Sequence, residues 1–225
     1  KISTLKSYFK YCRTMGLIQQ NPMRKIVSPK NKKSLPKFVS ISEMEKALDI
    51  QHDSDGGHNK RMAGFALRML YETGMRSAEL INLCLKDILL AKNCIRVKGK
   101  GNKERIIPIQ KELIEEIECF KMYRSSLDNV EVDNLIVTKR GMKVYPKLLY
   151  NLIHNSLDRV TTISQKSPHV LRHSFATHLA DNGAEINAIK ELLGHSSLSA
   201  TQVYTHNSIQ KLKDAYQQAH PRAMK

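Results

Sequence analysis

The sequence predicts a mainly α-helical protein carrying a small antiparallel β-sheet, an α+β chain. Three observations lead there. Apolar residues recur at helical spacing through most of the chain, beginning with Ile2, Leu5, Tyr8, Phe9 and Cys12. The period changes at Cys94–Val97 and Arg105–Ile109, two β-type runs flanking a basic turn over residues 98–103. From Pro146 onward the pattern is almost all helical, with breaks near Ser164–Ser167, at Asp181-Asn182-Gly183 and at Gly194.

The elements follow in chain order. Residues 1–15 read as a helix with one apolar face, closed by Gly16 as a C-terminal cap. No methionine precedes Lys1, and the expectation is that an earlier segment covers that face. Asn21-Pro22 and the polar stretch 28–37, with Pro29, Pro36 and three clustered lysines, read as a linker. A domain boundary is expected near residue 35, giving segments 1–34 and 35–225. Ser40-Ile41-Ser42-Glu43 fits a capping box opening a helix to about residue 50. Residues 51–58 read as a loop. Helices are expected over 59–73, stopped by Gly74, and from Ser77 to about Leu83. The two strands come next, inserted after the domain's third helix. Residues 110–124 are helical, with Leu113, Ile114, Ile117 and Phe120 on one face. Leu135-Ile136-Val137 reads as a short strand before a turn at Arg140-Gly141. Ser208–Ala219 reads as a basic amphipathic helix whose Ile209, Leu212, Ala215 and Tyr216 face one way.

Composition narrows the function classes. The chain has 225 residues, 41% hydrophobic and 26% charged, a globular balance rather than a disordered one. No apolar run approaches the roughly 18 residues of a membrane span, and no secretory leader pattern opens the chain. The four cysteines are scattered without a C-x-x-C pair and read as reduced intracellular thiols. Net charge is +16, which suits a polyanion partner, nucleic acid first, although a ribosome-associated or merely solubilising charge fits the number too.

Four segments carry candidate chemistry. Thr73-Gly74-Met75-Arg76-Ser77-Ala78-Glu79-Leu80 places an arginine at a helix start, where free N–H groups gather anions. By itself Arg76 also fits a surface arginine paired with Glu79. Residues 98–105, Lys-Gly-Lys-Gly-Asn-Lys-Glu-Arg, lack the ending of a phosphate-cradling loop. They read as a hairpin turn projecting Lys100, with Lys98, Lys103 and Arg105 as plausible phosphate contacts. In residues 169–178, His-Val-Leu-Arg-His-Ser-Phe-Ala-Thr-His, His169 and Arg172 share a helix face. Zinc is conceivable among so many histidines, but no ligand follows at zinc spacing, and no metal is expected. Leu192-Leu193-Gly194-His195 stops a helix and exposes His195; Tyr204 follows nine residues later and alone fits a half-buried tyrosine.

Together these residues form a cationic set with one tyrosine and no matching carboxylate cluster. Two-metal nucleases need carboxylates to hold their ions. This set instead suits neutralising a phosphodiester with side chains, leaving a tyrosine hydroxyl as nucleophile.

The four motifs, in this order and at this spacing, resemble the tyrosine recombinases, also called the phage-integrase family, and most closely its Xer branch. The resemblance covers the chain from about residue 35. It implies a tyrosine recombinase catalytic domain there, and in residues 1–34 the last helix and linker of the family's helical core-binding domain. It implies that Tyr204 attacks the scissile phosphate to give a 3′-phosphotyrosine. It implies that Arg76 and Arg172 clamp the non-bridging oxygens, that His195 donates to the same phosphate, that Lys100 protonates the departing 5′-oxygen and that His169 takes the tyrosine proton. It implies no cofactor and no metal. Its partners would be a double-stranded core site, a tetramer with itself or with a related recombinase on synapsed DNA, and a septal DNA translocase. The setting would be cytoplasmic and nucleoid-associated, and the role chromosome dimer resolution. The apolar face of this last helix fits a cap on the chain's own core, but in the resembled family the C-terminal tail docks on the neighbouring subunit, so docking in trans is the favoured expectation for residues 208–225. Other readings of the same residues are a mobile-element integrase, a relaxing topoisomerase with the same chemistry and a DNA-binding module without chemistry.

Overall fold

The computed structural model describes residues 2–26, 38–51, 57–99, 103–194 and 206–223. The chain divides into two compact units, Lys1–Pro36 and Lys37–Lys225.

In the first unit, α1 spans Ile2–Thr14. It ends as the glycine at 16 predicts: Gly16 takes φ +72° and Leu17 N–H reaches back to the Cys12 carbonyl at 2.9 Å. The Asn21 side chain then accepts from Met23 N–H at 2.9 Å, capping a single turn of 3-10 helix over Pro22–Lys25. Leu5, Tyr8 and Tyr11 on α1 are exposed.

The second unit is mostly helical with one three-stranded sheet. α2 (Ile41–Gln51) opens on the expected capping box: Ser40 N–H donates to Glu43 Oε2 at 2.9 Å and Glu43 N–H to Ser40 Oγ at 3.3 Å. α3 (Gly57–Thr73) is the central helix, buried on nearly every side among α2, α5 (Lys111–Ser125), α6 (Pro146–Asp158) and α7 (Pro168–Asp181). Phe65 stacks on Phe120 of α5 with ring centroids 3.9 Å apart. The two charges that α3 buries are paired: Arg68 bonds Glu72 at 2.7 Å and also Glu116. α4 (Ser77–Asn82) follows at once, and after it comes the sheet: β1 (Ile88–Leu89), β2 (Cys94–Lys98) and β3 (Glu104–Pro108), antiparallel in that order. Ile95 pairs with Ile107 and Val97 with Arg105. Directly paired residues point to one face, so Arg105 shares the inward face with Ile95, Val97 and Ile107.

β1 was not anticipated, because two residues show no alternation. Leu135-Ile136-Val137 is buried but is no strand. Only isolated bridges form there, Asn134 with Cys84 and Val137 with Lys143.

A second apolar cluster joins α7, α8 (Ile186–Leu193) and α9 (His206–Ala219) through Phe175, Leu179, Leu192, Leu193, Leu212 and Tyr216. Within this one chain, Leu212 and Tyr216 of the α9 face pack against the chain's own α7 and α8. Tyr216 Oη donates to the Glu72 carbonyl at 2.9 Å, and Asn182 Nδ2 to the Ala219 carbonyl at 2.7 Å. The chain's own α7 and α8 offer this face an apolar seat, and burying it there removes it from water. No helix among the described residues is long and apolar enough to cross a membrane.

Candidate active site

The turn between α3 and α4 is the centre of the site. Gly74 sits at φ +60°, and a Cβ on it would lie 2.5 Å from Phe175 Cδ1. Glycine alone lets the turn lie this close to α7. The contact brings the Gly74 carbonyl to Arg172, whose Nη1 donates to it at 2.6 Å. Arg172 Nη2 donates to the Leu193 carbonyl, also at 2.6 Å. One guanidinium thus ties a carbonyl two residues before Arg76 to a carbonyl two residues before His195. Among the described residues, two of its five N–H groups are engaged. Burial lowers its pKa to about 10, with repulsion from Arg76 and Arg105 adding to the effect and Glu79 opposing it. It therefore stays cationic at neutral pH.

Arg76 precedes the first turn of α4. Its N–H donates to Glu79 Oε2 at 2.7 Å and its Nη1 to Glu79 Oε1 at 2.9 Å. Its side chain remains 40% exposed, so the guanidinium is held yet reachable. Burial pushes the Glu79 carboxyl up, but hydrogen bonds and charge from Arg105, then from Arg76, prevail and hold it below the usual carboxylate range.

Arg105 corrects the sequence reading. Its side chain is 5% exposed, and its fork is engaged: Nη1 and Nη2 donate to the two Glu79 oxygens at 2.9 and 2.8 Å, and Nε donates to the Leu192 carbonyl at 2.8 Å. It is an internal strut and not a surface cation for phosphates. The signal was available. Arg105, Ile107 and Ile109 alternate, so the strand turns all three inward. Glu79, weighed in the sequence only as a partner for Arg76, is the anion that joins both arginines.

The hairpin that carries Lys100 abuts this cluster. Gly99 N–H bonds the Lys103 carbonyl at 2.8 Å, and a Cβ on Gly99 would lie 3.7 Å from Glu79 Oε1. Lys98 and Lys103 are exposed at the hairpin's base, and Lys98 pairs with Glu104 at 3.4 Å. His169 is exposed in the first turn of α7, three residues before Arg172. Lys100, His195 and Tyr204 lie outside the described residues. Gly194, at φ +65°, ends α8 immediately before His195, and α9 begins two residues after Tyr204. Among the described residues, no group of three or more His, Cys, Asp or Glu side chains is placed to hold a metal ion.

Comparison with known proteins matches this region to one family. The model of the phage integrase family matches residues 37–211. Tyrosine recombinase XerC of Vibrio vulnificus (strain YJ016) is 34% identical over 225 residues, covering 100% of this chain and 70% of its own. The crystal structure of XerA recombinase aligns with a TM-score of 0.64 at 30% identity, over 97% of this chain and 75% of that one. XerH site-specific recombinase, in a post-cleavage complex with a palindromic difH substrate, aligns with a TM-score of 0.68 at 30% identity, over 85% of this chain and 56% of that one.

Proposed function

Because the chain belongs to the phage integrase family, the tyrosine recombinases, we propose catalytic roles for Arg76 and Arg172 of this cluster and for Lys100, His169, His195 and Tyr204. The chain is a tyrosine site-specific recombinase, acting on DNA. The observation that carries the assignment is the Arg172 guanidinium, bonded at once to the turn before Arg76 and to the turn before His195.

In this reading the scissile phosphate sits over Arg76 and Arg172, whose free N–H groups bind its non-bridging oxygens. His195 adds a third donor. The Tyr204 hydroxyl attacks phosphorus and passes its proton to His169. The bond from phosphorus to the 5′-oxygen breaks, and Lys100 protonates that oxygen. The products are a 3′-phosphotyrosine and a free 5′-hydroxyl. The ester bond is conserved, so a 5′-hydroxyl from another duplex reseals it without ATP. A free tyrosine has a pKa near 10, so the base and the cationic surroundings are needed to make it a nucleophile. Each lost charge donor should cost about 10²–10³ in rate, and general acid–base help is worth about 10²–10⁴.

Residues 1–34 fit the end of a helical core-binding domain that precedes the catalytic domain. The Xer likeness favours resolution of chromosome dimers over integration of a mobile element. That role implies a tetramer on synapsed DNA, homomeric or shared with a related recombinase, a septal DNA translocase as partner, and a cytoplasmic, nucleoid-associated setting. Lys98 and Lys103, exposed at the hairpin base, remain phosphate contacts in this scheme.

A nicked duplex selected by binding to this chain from a random pool tests the chemistry. It is incubated in EDTA with wild type, Tyr204→Phe and Arg172→Ala, and run on a denaturing gel. The expected result is a covalent protein–DNA band in wild type, lost in Tyr204→Phe and weakened about 10²-fold or more in Arg172→Ala. Tight, salt-sensitive binding with no covalent band in wild type would mark a binding module instead.

A further inference from the structure

The reaction as set out leaves Arg105 without a part, although its guanidinium is the most fully engaged cation in the cluster. We propose that Arg105 is a positioning residue. From the inward face of β3 it fixes Glu79, and through it Arg76, relative to the last turn of α8 that leads into His195. This rests on the assignment of Arg76, Arg172 and His195 above.

The geometry is a strut with two ends. At one end the fork meets both Glu79 oxygens, and those same oxygens hold the Arg76 N–H at 2.7 Å and its Nη1 at 2.9 Å. A bidentate fork fixes orientation as well as distance. At the other end Nε donates to the Leu192 carbonyl at 2.8 Å. That carbonyl belongs to the last turn of α8, where helical carbonyls lack helical partners. Arg172 takes the next carbonyl, Leu193, so two arginines grip successive groups of one helix end. Gly194 seals the contact. A Cβ there would lie 2.9 Å from Arg105 Cδ and 3.3 Å from Nε, so the turn into His195 rests directly on this side chain.

The strut therefore spans the two halves of the phosphate site. One half comes from the α3–α4 turn and the other from the end of α8. Burial favours a stiff arrangement, because both side chains are only 5% exposed and have little access to water as an alternative partner. Lysine cannot replace it. An ammonium is a point charge without the planar fork, and it cannot hold a carboxylate bidentately while also reaching the Leu192 carbonyl. Misplacing a catalytic group by about 1 Å can cost on the order of 10²-fold in rate.

The test compares wild type, Arg105→Lys, Arg105→Met and the double variant Arg105→Met/Glu79→Gln. The double variant removes both members of the buried Arg105–Glu79 pair, so it is the one that keeps the fold if Arg105→Met alone does not. Each is assayed on the selected nicked duplex in EDTA for the single-turnover rate and the amplitude of covalent adduct. DNA affinity is measured over a salt series. The expected result is a rate lower by about 10²-fold in the double variant, with wild-type amplitude and wild-type salt slope. Arg105→Lys should recover only part of the rate. Three results overturn the proposal. A wild-type rate in the double variant would show that the strut is idle. A salt slope reduced by about one at unchanged rate would make Arg105 a phosphate contact. A reduced amplitude at unchanged rate would make it a fold element only. Absence of adduct in wild type would instead bring down the recombinase assignment itself, and this proposal with it.

Discussion

Gly74 carries two constraints at once, a left-handed backbone and a close approach to Phe175. Gly183 carries only the first: its φ is +87° and nothing lies within 4 Å of a Cβ placed there. The pair separates strain from crowding. Gly183→Ala should cost about 1–2 kcal/mol, the strain of the left-handed region alone. Gly74→Ala adds overpacking of about 1–3 kcal/mol and should cost about 3 kcal/mol in total. Urea midpoints of the two variants measure the difference, and equal costs would refute the close approach. At this scale the sequence disclosed residue types better than environments. Arg76 and Arg172 stand out in the sequence because arginines at a helix start and on a helix face suit anion binding, and the structure ties the Arg172 guanidinium to the turn before Arg76. Arg105 was misread because its charge was weighed and its alternation with Ile107 was not. The role of Glu79 depends on a contact 26 residues along the chain, which no local spacing reveals.

Helices were legible where one face repeats over several turns, as in α5, α6 and α7. Capping chemistry placed the start of α2 and the stop of α1. The segment 135–137 misled because a short apolar run reads the same whether it pairs or is simply buried. The amphipathic face of α9 was legible, but its seat was not, since a pattern shows that a face needs cover and not what covers it. That seat has a pH consequence. His220, one residue past α9, is fully buried, stacks on Tyr216 with centroids 4.8 Å apart and accepts from Arg222 N–H at 3.2 Å. Tyr71 of α3 and His178 of α7 also face this pocket, and Tyr71 Oη and His178 Nδ1 share a 2.9 Å hydrogen bond; Glu72 takes the Arg222 side chain at 3.3 Å. Burial lowers the His220 pKa to about 3 from the ordinary 6.5. A depressed histidine stabilises the fold above its unfolded pKa. That stability is lost as pH falls below about 6.5, because the unfolded chain takes the proton first. At 1.36 kcal/mol per unit, moving from neutral pH to about pH 5 should cost wild type roughly 2 kcal/mol more than His220→Gln. Urea melts at the two pH values measure it. Parallel losses in both proteins would contradict the burial of His220.

For the whole molecule the dominant quantity is the charge of +16. A recombinase held by about 6–10 phosphates should lose about 10³–10⁵ in DNA affinity between roughly 50 and 200 mM salt. A titration in that range checks this, and a flat dependence would contradict a phosphate-led interface. Family and fold were legible from four motifs in order. The core site was not, because base readout depends on which side chains reach the groove edges, a matter of docking geometry and not of spacing. The central claim is that Tyr204 becomes a 3′-phosphotyrosine inside an arginine-lined site without metal. The most direct measurement is mass spectrometry of the adduct trapped in EDTA. Trypsin should release residues 191–211, which contain both His195 and Tyr204. The expected result is a nucleotide joined through its 3′-phosphate to Tyr204, with a free 5′-hydroxyl on the downstream fragment of the same cleaved strand. A nucleotide on any other residue, or one joined through its 5′-phosphate, would contradict the account.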